Sequence, residues 1–364
     1  MDGGAEADAV VGLHENGRFK GVFLAWLGVV KPLWQLVLES EAEQALPDGG
    51  HRGVFRGRAS QRHPFGALIH GAVCFERSTD YAHGMGPAPL KRMLPIALCI
   101  AILAYLGLCL LLYLFQNRAV FFPGRPPQAT PATAGLEYED VRLKTRDGVS
   151  IHGWWIPRSE ATGVILVAHG NAGNIADRLG LARAFHELDF SVLLFDYRGY
   201  GNSEGTPTEE GVYLDGEAAY EYLTDERGIP PSRIVLFGES LGGGVAVQLA
   251  SRHACRALIT ESAFTSVPDV AAEIYPWFPT RLLVRNRFAN ADKLGSIQVP
   301  YLTIHSPEDE LIPFSHGERL HAVANEPKRL LRTSGGHNDG GFQSSEGYRH
   351  EVGVFLRGVF AGDE

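Results

Sequence analysis

The chain has 364 residues, 45% of them hydrophobic and 21% charged, with 33 Lys/Arg against 42 Asp/Glu and a formal charge of −9. These proportions exclude disorder along the whole length and leave room for one large domain plus an appendage. Residues 1–93 hold ten basic and ten acidic side chains, so the acidic excess lies entirely downstream and a nucleic-acid partner is not expected.

The leader, residues 1–93, shows neither a helical nor a strand period and is assigned no fold. Met85, followed by Lys91, Arg92 and an apolar run, already gives the layout of a signal anchor, so much of the leader is expected to be a dispensable extension. The run itself, LPIALCIAILAYLGLCLLLYLF, starts at Leu94, ends at Phe115 and carries no charge. At ~1.5 Å per residue it is long enough to cross a ~30 Å hydrocarbon core as a helix. Residues 94–115 are therefore expected to be a single membrane anchor. Arg77, Lys91 and Arg92 before it, against Arg118 and Arg125 after it, lean the N-terminus inward and the C-terminal domain outward.

Residues 116–135 are rich in proline and are expected to form an extended tether, with a domain beginning at 136 that folds and reacts without the anchor. Residues 137–143 and 149–156 flank Asp147-Gly148, a hairpin turn pair. Short apolar runs at 164–168, 191–195, 233–237, 257–260 and 301–305 have the composition of strands buried on both faces of a parallel sheet. Helical stretches separate most of them, which predicts a doubly wound α/β domain with ligands beyond the C-terminal strand ends. Residues 262–296 are too few for a large lid; their aromatics predict a small cap lining an acyl pocket, or equally simple core packing.

Gly238-Glu239-Ser240-Leu241-Gly242 follows the strand at 233–237 and precedes a helix-compatible stretch. G-x-S-x-G in a strand-turn-helix setting marks Ser240 as a candidate nucleophile, because the tight turn holds the hydroxyl out at the top of the sheet. A serine needs a base, and the base an orienting acid. SPEDELIP at 306–313 supplies Asp309 as the acid, with Glu308 and Glu310 as solvated flanks. His337, in the glycine-rich loop SGGHND after the run at 329–331, is the candidate base. The loop HGNAGN at 169–174 and the turn after Ser240 are expected to supply backbone N–H groups from Asn171 and Leu241 to an oxyanion, with His169 shaping the loop. DYRGYG at 196–201 is most simply structural. Cys74, Cys99, Cys109 and Cys255 show no paired spacing, so neither a disulfide framework, a metal site nor any cofactor is expected.

With HGNAGN at 169–174, FDYRGYGNSEG at 195–205, GESLGG at 238–243, SPEDELIP at 306–313 and GGHND at 335–339, the chain resembles the α/β-hydrolases. More narrowly it is similar to their bud-emergence-type, serine aminopeptidase-like branch, in which a tract like LYLFQNRAVFFPG at 112–124 is typical. The resemblance runs from about residue 95 to the C-terminus and implies an α/β-hydrolase fold with Ser240, Asp309 and His337 as nucleophile, acid and base. It departs at Ser306 and Pro307, where relatives often carry a glycine, which puts the register around Asp309 at issue. The expected activity is hydrolysis of a small-molecule or lipid acyl ester or thioester at a membrane. The alternatives are amide hydrolysis by the same mechanism, or a non-catalytic scaffold binding a lipid or protein.

Overall fold

The computed structural model describes residues 87–124, 126–338 and 346–361. The expectations for the leader therefore fall outside the described residues, apart from its last few positions. These belong to helix α1 (Pro87–Val120), which begins before and ends after the span expected at 94–115. The stretch Met93–Val120 is long and apolar enough to cross a membrane, and almost none of it is buried against protein.

Beyond α1, the strands β1 (Phe122–Pro123), β2 (Glu139–Lys144), β3 (Ser150–Ile156), β4 (Gly163–Ala168) and β5 (Ala172–Gly173) lead to helix α2 (Leu179–Glu187) and β6 (Phe190–Phe195). Then come α3 (Glu209–Glu221), β7 (Ile234–Glu239), α4 (Leu241–Arg252) and β8 (Ala257–Glu261). The cap contributes α5 (Val267–Ile274), α6 (Thr280–Leu283) and α7 (Asn290–Leu294). The chain closes with β9 (Tyr301–His305), α8 (Phe314–Val323), β10 (Lys328–Arg332) and α9 (Glu346–Phe360).

Eight strands form one sheet in the order β10-β9-β8-β7-β4-β6-β3-β2. It is parallel from β10 to β6 and antiparallel where β3 meets β6 and β2. The inner strands β4, β6 and β8 are buried at every position, as strands covered on both faces must be, whereas β2 at the edge buries Val141 and Leu143 and exposes its other residues. The predicted hairpin turn holds: Gly148 takes φ 88°, which only glycine adopts at no steric cost, and Thr145 donates its hydroxyl to Asp147. On one face the core includes Val212 of α3, Val245 of α4 and Leu320 of α8; on the other it includes Phe185 of α2 and Leu356 of α9.

The tether expected at 116–135 is not a spacer. Gln116 to Val120 continue α1, Phe121 is 4% exposed within the core, and Phe122 and Pro123 pair as β1 with Ala172 and Gly173 of β5. Phe121 and Phe122 carry the reason, since two aromatic side chains next to a helix end are too costly to leave in water. A sequence rich in proline further on masked this pair. Cap aromatics divide between the two expectations: Phe264 and Phe288 are core residues, while Trp277 is 63% exposed.

Candidate active site

β7 leads into α4 through Ser240, which takes φ 51° and ψ −113°. A non-glycine residue in that region is strained and persists only where its surroundings hold it. Here the Ser240 N–H donates to the Glu261 carbonyl at 2.8 Å and its carbonyl accepts from the Gly243 N–H at 3.0 Å. The glycines on either side are required by space. A Cβ on Gly242 would lie 2.0 Å from the Ala168 carbonyl oxygen, and one on Gly238 would lie 2.3 Å from that of Gly242. The turn therefore leaves no room for a side chain at 238 or 242.

The loops after β9 and β10 bring two further predicted residues to this serine. His337 Nε2 is 3.1 Å from Ser240 Oγ, and its Nδ1 is 2.7 Å from Asp309 Oδ2. Of the three acids on this loop, it is Asp309 that meets the imidazole ring. The Leu311 and Ile312 N–H groups donate to Asp309 Oδ1 at 3.0 and 2.8 Å. Burial alone would push this carboxyl up, but hydrogen bonds from His305 and His337 and the neighbouring imidazole charge hold it well below the usual carboxylate range. Burial likewise pulls His337 down, yet Asp309 raises it above its ordinary value, with smaller help from Glu239 and Glu310.

Glu308 and Glu310 are not merely solvated flanks. Glu308 accepts from the Gly335 N–H at 2.9 Å and Glu310 from the His337 N–H at 3.0 Å. The Ser306 hydroxyl donates to the Gly335 carbonyl at 2.6 Å. The acid loop thus grips the backbone of the histidine loop at three points around the imidazole, a role no spacing rule could reveal.

The loop after β4 carries Asn171. Because β4 pairs with β7, with Ala168 opposite Gly238, this loop emerges beside the turn that holds Ser240 and Leu241. Leu241 opens α4, where N–H groups have no partner within the helix. The DYRGYG segment proves to be the support of this loop. Tyr197 donates its hydroxyl to the His169 carbonyl and Tyr200 to that of Asn171, each at 2.7 Å, while Asp196 accepts from the Ile175 N–H at 3.0 Å. A buried tyrosine needs a partner for its hydroxyl, and that requirement was the available clue. His169 is fully buried beside Arg178, and the two effects push its imidazole down to about 3, so it stays neutral and acts as a spacer. Arg178 in turn pairs with Glu239, the residue before Ser240, at 2.6 Å.

Tyr200→Phe tests this support. The variant removes one of the two donors to the Asn171 carbonyl and leaves the Phe122 N–H in place, and a net ~1 kcal/mol felt at this loop predicts a roughly fivefold fall in kcat/KM with a melting temperature lowered by only a few degrees. Steady-state assay with a p-nitrophenyl ester beside a melting curve measures both.

Residues 163–310 match the family model of the α/β-hydrolase fold. The chain is 39% identical over 251 residues to an uncharacterised protein of Mycobacterium tuberculosis, covering 68% of this chain and 89% of that protein. It is also 34% identical over 220 residues to the protein bem46 of Schizosaccharomyces pombe, covering 56% of this chain and 72% of bem46. Among solved structures, a Pyrococcus furiosus esterase superimposes with a TM-score of 0.56 at 23% identity, covering 66% of this chain and all of that one. Sheet order, strained serine turn and relatives agree, and the chain belongs to the α/β-hydrolase superfamily, in the branch that includes bem46.

Proposed function

We propose that this protein is a membrane-anchored serine hydrolase that cleaves carboxylic ester or thioester bonds through an acyl-enzyme. The observation that carries the proposal is His337, whose two ring nitrogens reach Ser240 and Asp309 at 3.1 and 2.7 Å. In the first half-reaction Ser240 Oγ attacks the acyl carbonyl as its proton passes to His337 Nε2. Negative charge gathering on the carbonyl oxygen is met by the N–H groups of Asn171 and Leu241. The tetrahedral adduct collapses, the C–O or C–S bond breaks, and the leaving group takes the proton from His337. Water then repeats the sequence on the acyl-serine, returning the hydroxyl and releasing the acid. Asp309 remains ionised throughout, holding one tautomer and stabilising the imidazolium.

Support for ester chemistry comes from the fold neighbour described as an esterase. Support for the membrane comes from the exposed apolar helix Met93–Val120. A fluorophosphonate probe tests the reading: it should label the wild type and fail on Ser240→Ala. Labelling that survives this substitution would overturn it.

Acid pH should silence the enzyme, because only neutral His337 accepts a proton. Its raised value places the midpoint of the acid limb of kcat/KM above the ordinary histidine value of ~6.5. Asp309→Asn removes the group that raises it and leaves the burial that lowers it, so the midpoint should move down while kcat falls by roughly 10⁴. A pH–rate profile of both proteins reads the two effects, and an unmoved midpoint contradicts the coupling.

A further inference from the structure

The apolar helix α1 does not leave the domain cleanly at its C-terminal end. A stripe of Tyr105, Cys109, Gln116 and Asn117 lies against protein while leucines on its other faces stay exposed. The contacts are graded along the helix. At Tyr105 the ring stacks on Phe278 with centroids 5.7 Å apart, and the hydroxyl donates to the Trp277 carbonyl at 3.0 Å. At Tyr113 the partner is Arg285, whose guanidinium lies 4.7 Å above the ring and donates to the Tyr113 carbonyl. At Gln116 and Asn117 the contacts are fully polar: the Arg285 N–H donates to Gln116 Oε1 at 2.6 Å and the Asn286 amide to Asn117 Oδ1 at 2.7 Å.

The depth of the first contact follows from sequence alone. Tyr105 stands 13 positions from Arg92 and 13 from Arg118, the nearest charges on either side. At 1.5 Å per residue each lies ~20 Å away along the helix. A bilayer that covers this uncharged stretch therefore has Tyr105 near its midplane, ~15 Å below either hydrocarbon boundary. Whatever stacks on Tyr105 is carried to that depth. The cap segment that does so, Ile274 to Pro279, reads IYPWFP without a charge, and Ile274, Trp277 and Leu282 are 38%, 63% and 84% exposed. Arg281, paired with Asp269 at 3.5 Å, has a stem long enough to bring its guanidinium back toward the headgroups.

We propose that the cap segment Ile274–Pro279, between α5 and α6, is immersed in the lipid leaflet beside α1, so that the hydrolase takes its substrate, a long-chain carboxylic ester, directly from the bilayer. This rests on the membrane-anchored hydrolase reading and names its substrate class. The cap is also joined to the reacting centre. Phe288 at its far end packs so closely on α4 that a Cβ on Gly244 would lie 2.5 Å from its ring, and the Glu261 carbonyl just before the cap accepts from Ser240. The element that carries Ser240 is thereby packed directly against the cap.

Full-length protein reconstituted in vesicles of phosphatidylcholine brominated on its acyl chains tests the immersion. Bromine should quench tryptophan emission, and the quenched share contributed by residue 277 should disappear in Trp277→Phe. In vesicles carrying a long-chain umbelliferyl ester, Trp277→Asp should lower the ratio of vesicle-ester to soluble-ester turnover by at least about tenfold, given the cost of an acid in hydrocarbon. Identical quenching in wild type and Trp277→Phe, or an unchanged ratio, overturns the immersed cap. If carbonate washing releases the protein from membranes, the anchor falls and the immersed cap with it. If Ser240 is not labelled by a fluorophosphonate while residue 277 is still quenched, the hydrolase reading fails and the cap's placement stands.

Discussion

Replacing Ser240 with alanine is expected to lower kcat on a p-nitrophenyl ester by at least ~10⁴-fold, and His337→Ala to lower it equally. In the proposed mechanism both side chains serve one proton transfer: without the serine there is no atom to acylate, and without the imidazole the Oγ proton has no acceptor. Their joint removal should therefore be no worse than either loss alone. Folding is expected to survive both changes, because Ser240 is held by backbone hydrogen bonds to Glu261 and Gly243 that alanine keeps, and the histidine loop is gripped by Ser306, Glu308 and Glu310. Multiplicative losses in the double variant would mean that the two residues act separately.

A chain beginning at Leu136, where the sequence places the start of the domain, is expected to lose at least ~100-fold in its rate of fluorophosphonate labelling. The physical reason lies in the segment it lacks. Phe121 fills the core next to Phe288, with ring centroids 6.3 Å apart, and removing a buried phenylalanine costs about 3–5 kcal/mol. The same cut deletes β1, whose Phe122 N–H donates to the Asn171 carbonyl at 2.9 Å and whose neighbour Gly124 donates to Gly173 at 2.8 Å. Asn171 also reaches back with its side-chain amide to the Val120 carbonyl at 3.1 Å. The loop proposed to offer an N–H to the oxyanion thus loses three of its ties, and loss of one such donor alone is worth ~10²–10³ in rate. A chain beginning at Gln116 keeps all three and should label at close to the full-length rate. Equal labelling by both shortened chains would show that β1 carries nothing the site needs.

The contrast between these two predictions marks what could be read from the amino acids. Strands β4, β6, β7, β8 and β9 announce themselves because a strand covered on both faces is apolar along most of its length. Ser240 is legible for a steric reason, since only glycines fit at 238 and 242 around a turn so tight. Asp309 and His337 follow from chain order and from strand ends that open on one side of the sheet. The remainder depends on contacts between segments distant in sequence. Tyr197 and Tyr200 look like part of a turn, and only the fold shows that their hydroxyls hold the carbonyls of His169 and Asn171. Glu308 and Glu310 carry no local pattern that aims them at backbone N–H groups 27 residues away. The segment from Gln116 to Gly124 is misread as a tether because proline content speaks of stiffness and says nothing of where Phe121 finds its pocket.

Trapping the covalent intermediate tests the central claim most directly. Full-length protein mixed with a slowly deacylating p-nitrophenyl ester, quenched in acid within the burst and digested, should yield one peptide whose mass is raised by the acyl group, with fragmentation placing the group on Ser240. The same experiment on His337→Ala should yield none. An acyl group on another residue, or product release with no acylated peptide at any time, would contradict a mechanism that runs through Ser240.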